Sequence, residues 1–120
     1  MDYRTAFDLA PIGLVLSSQR LMTDCNARAL AIFGAAREQL VGQSFELLYP
    51  TQAEYERTVQ RIVGRLDANG CYADDRVMKR LGGARGGELF WCHVSGRALD
   101  PHQPHAAGIW AFEDLSSRRP

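Results

Sequence analysis

The sequence predicts an α+β domain, a five-stranded antiparallel sheet with helices packed on one face. Three observations carry this. Two β-rich runs near the start, residues 12–17 (IGLVLS) and 21–25 (LMTDC), are joined by a short polar turn. Three more runs lie near the end, at 71–81, 87–99 and 106–115. Between the two groups the chain follows helical spacing. Strands that bracket a helical middle close into one sheet with the helices against one side.

Residues 2–10 read as a short helix capped by Asp2, with Tyr3, Phe7 and Ala10 on one stripe and Pro11 as the stop. The first hairpin follows and turns at Ser18-Gln19-Arg20. Asn26 then caps a helix through Phe33, which Gly34 ends. A single turn from Arg37 to Val41 stops at Gly42, and Ser44 caps a third short piece carrying Phe45, Leu47 and Leu48. The long helix starts at a capping box, Thr51-Gln52-Ala53-Glu54, and carries an apolar stripe of Tyr55, Val59, Ile62, Val63 and Leu66 up to Asn69-Gly70. Residues 71–81 are polar enough for a strand near the sheet edge. In the last hairpin, GELFWCHVSGRAL puts Phe90, Cys92, Val94, Gly96 and Ala98 on one face and Trp91, His93, Ser95 and Arg97 on the other. In AAGIWAFEDL, Gly108, Trp110 and Phe112 alternate with Ile109, Ala111 and Glu113.

A chain of 120 residues with 46% hydrophobic content suits one folded domain, 1–120. Its parts are a cap helix at about 2–10, a core at about 11–115 and the start of a connector at 116–120. Fourteen basic residues balance fourteen acidic ones, so no overall field draws the chain to nucleic acid or an anionic membrane. No run of 18 apolar residues is present to span a bilayer. Cys25, Cys71 and Cys92 lack paired metal spacing and read as reduced thiols of a cytoplasmic protein.

The candidates for chemistry are weak. GGARGG (82–87) has no following Lys-Ser/Thr and precedes a strand, so it reads as a hairpin loop and not a phosphate cradle. Cys92 and His93 are strand neighbours that point to opposite faces, which rules out a catalytic dyad. His102 and His105 lie in a loop without further ligands at metal spacing. Arg57, Arg61 and Arg65 line the outer face of the long helix and read as a solvated row. No catalytic set stands out, and the expectation is a protein that is not an enzyme.

The pattern resembles the PAS family over nearly the whole chain. Ala10-Pro11-Ile12-Gly13 and a hairpin ending in Cys25-Asn26 are similar to that family's opening, with Asn26 matching its Asn. Leu30 to Gly34, REQLVG (37–42) and Leu48-Tyr49-Pro50 are similar to the stretch that follows. The strand around Trp91 and the end IWAFEDLSSRR are similar to its close. The resemblance implies a non-catalytic sensing and dimerising module whose sheet faces helices across a small cavity. It argues against flavin: residues 43–48 lack the reactive Cys of the light sensors, and Cys92 and Phe112 stand where those carry Asn and Gln. It also argues against haem held by the long helix, which contains no His between Thr51 and Leu66. No cofactor is expected.

The expected cavity is lined by Leu14, Leu16, Phe33, Leu48, Cys92, Val94, Trp110 and Phe112, with Gly96 and Gly108 leaving room. It would hold a small, mostly apolar molecule or be packed solid. Tyr3, Phe7, Trp91 and Ile109 are the expected homodimer contacts. A domain starting this near Met1 resembles the sensor of a transcription regulator with a LuxR-type helix-turn-helix beyond Pro120. Soluble histidine kinases, diguanylate cyclases and a purely dimerising module are the alternatives. The domain itself, without a basic patch or recognition helix, is not expected to touch DNA.

Overall fold

The computed structural model describes residues 1–116, so most of the expected connector, residues 117–120, lies outside the described residues. Asp2 caps α1 (Tyr3–Leu9) by accepting from Thr5 N–H at 2.8 Å. β1 (Gly13–Ser18) and β2 (Leu21–Cys25) form the first hairpin, turning through Gln19 and Arg20 at φ 53° and 68°. Asn26 caps α2 (Ala27–Phe33), which ends where Gly34 turns left-handed at φ 64°. α3 (Arg37–Leu40) and a 3-10 turn over Phe45–Leu48 lead to α4 (Gln52–Arg65). β3 (Cys71–Lys79), β4 (Leu89–Ala98) and β5 (Ala107–Asp114) complete an antiparallel sheet of order β2-β1-β5-β4-β3. The expected fold class is the one observed, with β3 at an edge.

The two halves of the chain meet at β1 and β5, where Val15 lies opposite Trp110 and Gly13 opposite Phe112. On the inner face Val15, Cys25, Met78, Phe90, Cys92, Val94 and Phe112 are buried under the helices, together with Phe33, Leu40 and Leu48. Phe33 meets the Phe112 ring edge-on at 5.4 Å and lies 5.9 Å from Phe90, so this half of the core is filled by aromatic contact.

Several expectations are corrected. Leu14 and Leu16 face outward, opposite Ala111 and Ile109, and Val15 takes the inner position. The run's one polar residue, Ser17, shares the inner face with Val15, so polar–apolar alternation misassigns the phase. α2 goes with the other phase: a β-carbon on Gly13 would stand 3.1 Å from Ala29 Cα, so a larger residue there would push the helix back by a few tenths of an ångström. On α4 the buried residues are Tyr55, Thr58 and Val59, while Val63 is 46% exposed. The helix ends at Arg65, before Asn69-Gly70. The capping box is half formed. Thr51 Oγ1 accepts from Glu54 N–H at 3.1 Å, but the Glu54 carboxylate pairs with Arg57. Arg61 leaves the row of solvated arginines and reaches Asp74 on β3 at 3.0 Å.

Candidate functional site

Inward-facing residues at the β1–β5–β4 centre and the first turns of α4 enclose a cavity of about 60 Å³. That is room for a few waters or an organic molecule of a few heavy atoms. Its sheet side is Ser17, Val94, Trp110 and Phe112, with Arg76 entering from β3. Phe45 and Tyr49 close one end, and Tyr55, Thr58, Val59 and Ile62 of α4 form the roof. Arg20, Pro104 and His105 stand at the mouth, where the β1–β2 turn meets the β4–β5 loop.

Trp110 defines the space. Its indole lies over Gly96, where any β-carbon would fall inside the ring, so the room expected at that glycine is taken by the tryptophan. Its Nε1–H donates to Ser17 Oγ at 3.1 Å, which fixes the ring plane, and Phe45 meets the indole edge-on at 6.2 Å. Of the expected lining residues, Val94, Trp110 and Phe112 border the cavity. Phe33, Leu48 and Cys92 are buried in the neighbouring packed core, and Leu14 and Leu16 are on the opposite face of the sheet.

The polar residues of the site were missed at the sequence level. Arg76 is 6% exposed, donates through Nε to Asp74 at 2.6 Å and through Nη1 to Tyr49 Oη at 2.9 Å. Tyr72 Oη also donates to Asp74, at 2.7 Å. An arginine alternating with aspartates and a valine in ADDRVMK was a signal for an inward cation, but it read only as edge-strand polarity. At the mouth, Arg20 Nη2 lies 2.9 Å from His105 Nε2. Burial, with Arg20 adding to it, holds the His105 imidazole below its ordinary pKa, consistent with a neutral ring accepting from the guanidinium.

The two buried thiols are not activated. Burial pushes Cys92 up to about 12 and Cys25 up to about 11. His93 is on the outer face, 2.7 Å from Asp75, so it and Cys92 do lie on opposite sides of the sheet. Among the described residues no group of three or more His, Cys, Asp or Glu side chains could hold a metal ion.

Residues 10–117 match the family model for the PAS domain. The chain belongs to the PAS domain family. Its fold superposes with a TM-score of 0.89 on the PAS domain, in complex with ethanol, of a LuxR-family transcriptional regulator from Burkholderia thailandensis. The two are 60% identical over 97% of this chain and 99% of that one. A PAS domain from Colwellia psychrerythraea superposes at 0.80 with 17% identity, covering 95% of this chain and 94% of that one, a likeness of fold alone. The sensor protein TdiS of Thauera aromatica is 30% identical over 118 residues, which are 98% of this chain and 21% of that protein. This PAS domain therefore spans about a fifth of the length of that curated relative.

Proposed function

We propose that this PAS domain is the non-catalytic, cytoplasmic sensor module of a transcription regulator with a LuxR-type effector, and that it binds a small, mostly apolar molecule beneath Trp110. The observation that carries the reading is the cavity of about 60 Å³ walled by Trp110, Phe112, Val94, Val59 and Ile62. The ethanol complex of the LuxR-family relative supports it, and so does the match to a sensor protein. Phe112 lies two residues before Asp114 on β5, so displacement of its ring would move the strand end that leads toward an effector beyond Pro120.

Thermal melting of the domain with short alcohols tests this. A ligand at 100 times its Kd adds about 2.7 kcal/mol. Val59→Trp, which fills the cavity from the roof, is expected to remove that gain. If neither short alcohols nor short carboxylates move the wild-type melt or its NMR spectrum, the reading fails.

A second part of the proposal is homodimerisation through the outer sheet face. Trp91 and Ile109 are 43% and 42% exposed there, beside the outward Leu14 and Leu16. Tyr3 is 95% exposed and Phe7 half-buried, so α1 presents one of its two expected contacts freely. Sedimentation should give a dimer that Ile109→Glu converts to monomer; a monomeric wild type refutes it.

A further inference from the structure

We infer that the cavity selects a small monocarboxylate, with its oxyanion on Arg76 and a short apolar body toward Trp110. This rests on the proposal that the cavity is a ligand site and adds the ligand's charge and size.

Charge is the first support. The groups bordering the cavity include two guanidiniums, Arg20 and Arg76, and no carboxylate. The acid nearest Arg76 is Asp74, and it is shared. Its Oδ2 takes Arg61 Nη2 at 3.0 Å and the Tyr72 hydroxyl at 2.7 Å, while Oδ1 takes Arg76 Nε at 2.6 Å. Two cations therefore meet one anion. Of the other acids on β3 and α4, Asp75 pairs with His93 on the outer face, Glu54 pairs with Arg57 on the solvent side of α4, and Glu56 is exposed. A part-buried cluster with Arg76 at its buried end and one positive charge in excess favours an anion beside it.

Hydrogen-bonding capacity is the second. Arg76 Nη2 is ion-paired with Asp74 Oδ1 at 2.6 Å, the same oxygen that takes Nε, and makes no further hydrogen bond. Two donors of the fork thus share one carboxylate oxygen, and a guanidinium presents enough donors to take a second carboxylate beside it. Tyr49 accepts from Arg76 Nη1, which leaves its own O–H to donate nearby. Burial holds that phenol above its ordinary pKa, so it stays protonated.

Size is the third. About 60 Å³ admits only the smallest carboxylates, acetate or propionate, against an indole and a phenyl ring already in place.

The test is calorimetry at constant ionic strength with sodium acetate, propionate and butyrate, set against propionamide, the neutral isostere of propionate, and propan-1-ol. Propionate is expected to bind the wild type at least about tenfold more tightly than propionamide, as suits a hydrogen bond to a charged group. It should also shift the Trp110 indole N–H resonance. Arg76→Gln is expected to erase the preference, and Arg76→Lys to keep part of it. The wild-type comparison stands even if a variant fails to fold. If propionamide or propan-1-ol binds as well as propionate, the carboxylate inference is wrong while the cavity remains a ligand site. If none of the probes binds, both fail.

Discussion

Asn26 shows how much one buried polar side chain can organise. It is fully buried, and its amide is saturated: Oδ1 accepts from Leu14 N–H at 2.8 Å and Ala29 N–H at 2.9 Å, while Nδ2 donates to Phe7 O at 2.8 Å and Ile12 O at 3.0 Å. One residue thus joins α1, the entry to β1 and the start of α2. Removing the amide would strand buried backbone donors, each costing about 1–3 kcal/mol. Asn26→Ala is therefore expected to lower unfolding free energy by about 3 kcal/mol in urea, and Asn26→Asp to recover only the two acceptor contacts. A second residue-scale prediction concerns the cavity. Gly96→Ala would drive a methyl into the Trp110 indole, and overpacking of this kind costs about 1–3 kcal/mol. Its melt should fall, and the Trp110 indole N–H signal should move as the Ser17 bond is lost.

At the scale of elements, α4 separates a contact that stabilises from one that merely sits nearby. Thr51 caps the helix, and Thr51→Ala is expected to cost about 1 kcal/mol. Glu54 pairs with Arg57 on an exposed surface, so Glu54→Ala should cost under about 0.5 kcal/mol. A larger loss for Glu54 in chemical denaturation would mean that the capping box closes in solution. The Thr51 cap was legible because hydroxyl capping needs only local sequence. The path of the Glu54 side chain was not, because Arg57 competes for it. The same competition moved Arg61 from its expected solvated row onto Asp74, a partner thirteen residues away.

Across the whole molecule, Arg80 ties the sheet's far end to the helices. It is 5% exposed, donates to Ile32 O at 2.6 Å, bonds Asp114 at 2.8 Å and Glu88 at 3.3 Å, and lies 4.0 Å over the Phe90 ring. Burial by itself would raise the Asp114 carboxyl, but hydrogen bonds from Ser116 and Arg80 outweigh it and hold it below its ordinary 3.8. A carboxyl depressed on folding adds stability that is present above 3.8 and lost as pH falls through the folded value. Melting of the wild type should weaken through that acid range, and Asp114→Asn should flatten this part of the profile. An unchanged profile would remove Asp114 from the account.

Much of the fold was readable from sequence alone because its cues are local. Asn26, Ser44, Thr51, Gly34 and Gly42 mark element ends, and the polar–apolar alternation of the last hairpin assigned Phe90, Cys92, Val94, Trp110 and Phe112 to the inner face. The site was only partly readable. The one polar residue of IGLVLS, Ser17, faces inward toward Trp110, so polar–apolar alternation pointed the wrong way, and the close approach of α2 at Gly13 goes with Val15 and not Leu14 or Leu16 facing inward. The burial of Arg76 became visible only once β3 lay beside the 3-10 turn, whose following residue Tyr49 reaches the guanidinium that Asp74 of the same strand holds. Local spacing by itself determined where each element begins and which hairpin face is apolar. Only the tertiary structure decided which gap stays open beneath Trp110 and which charge looks into it, because both depend on contacts between residues far apart in the chain.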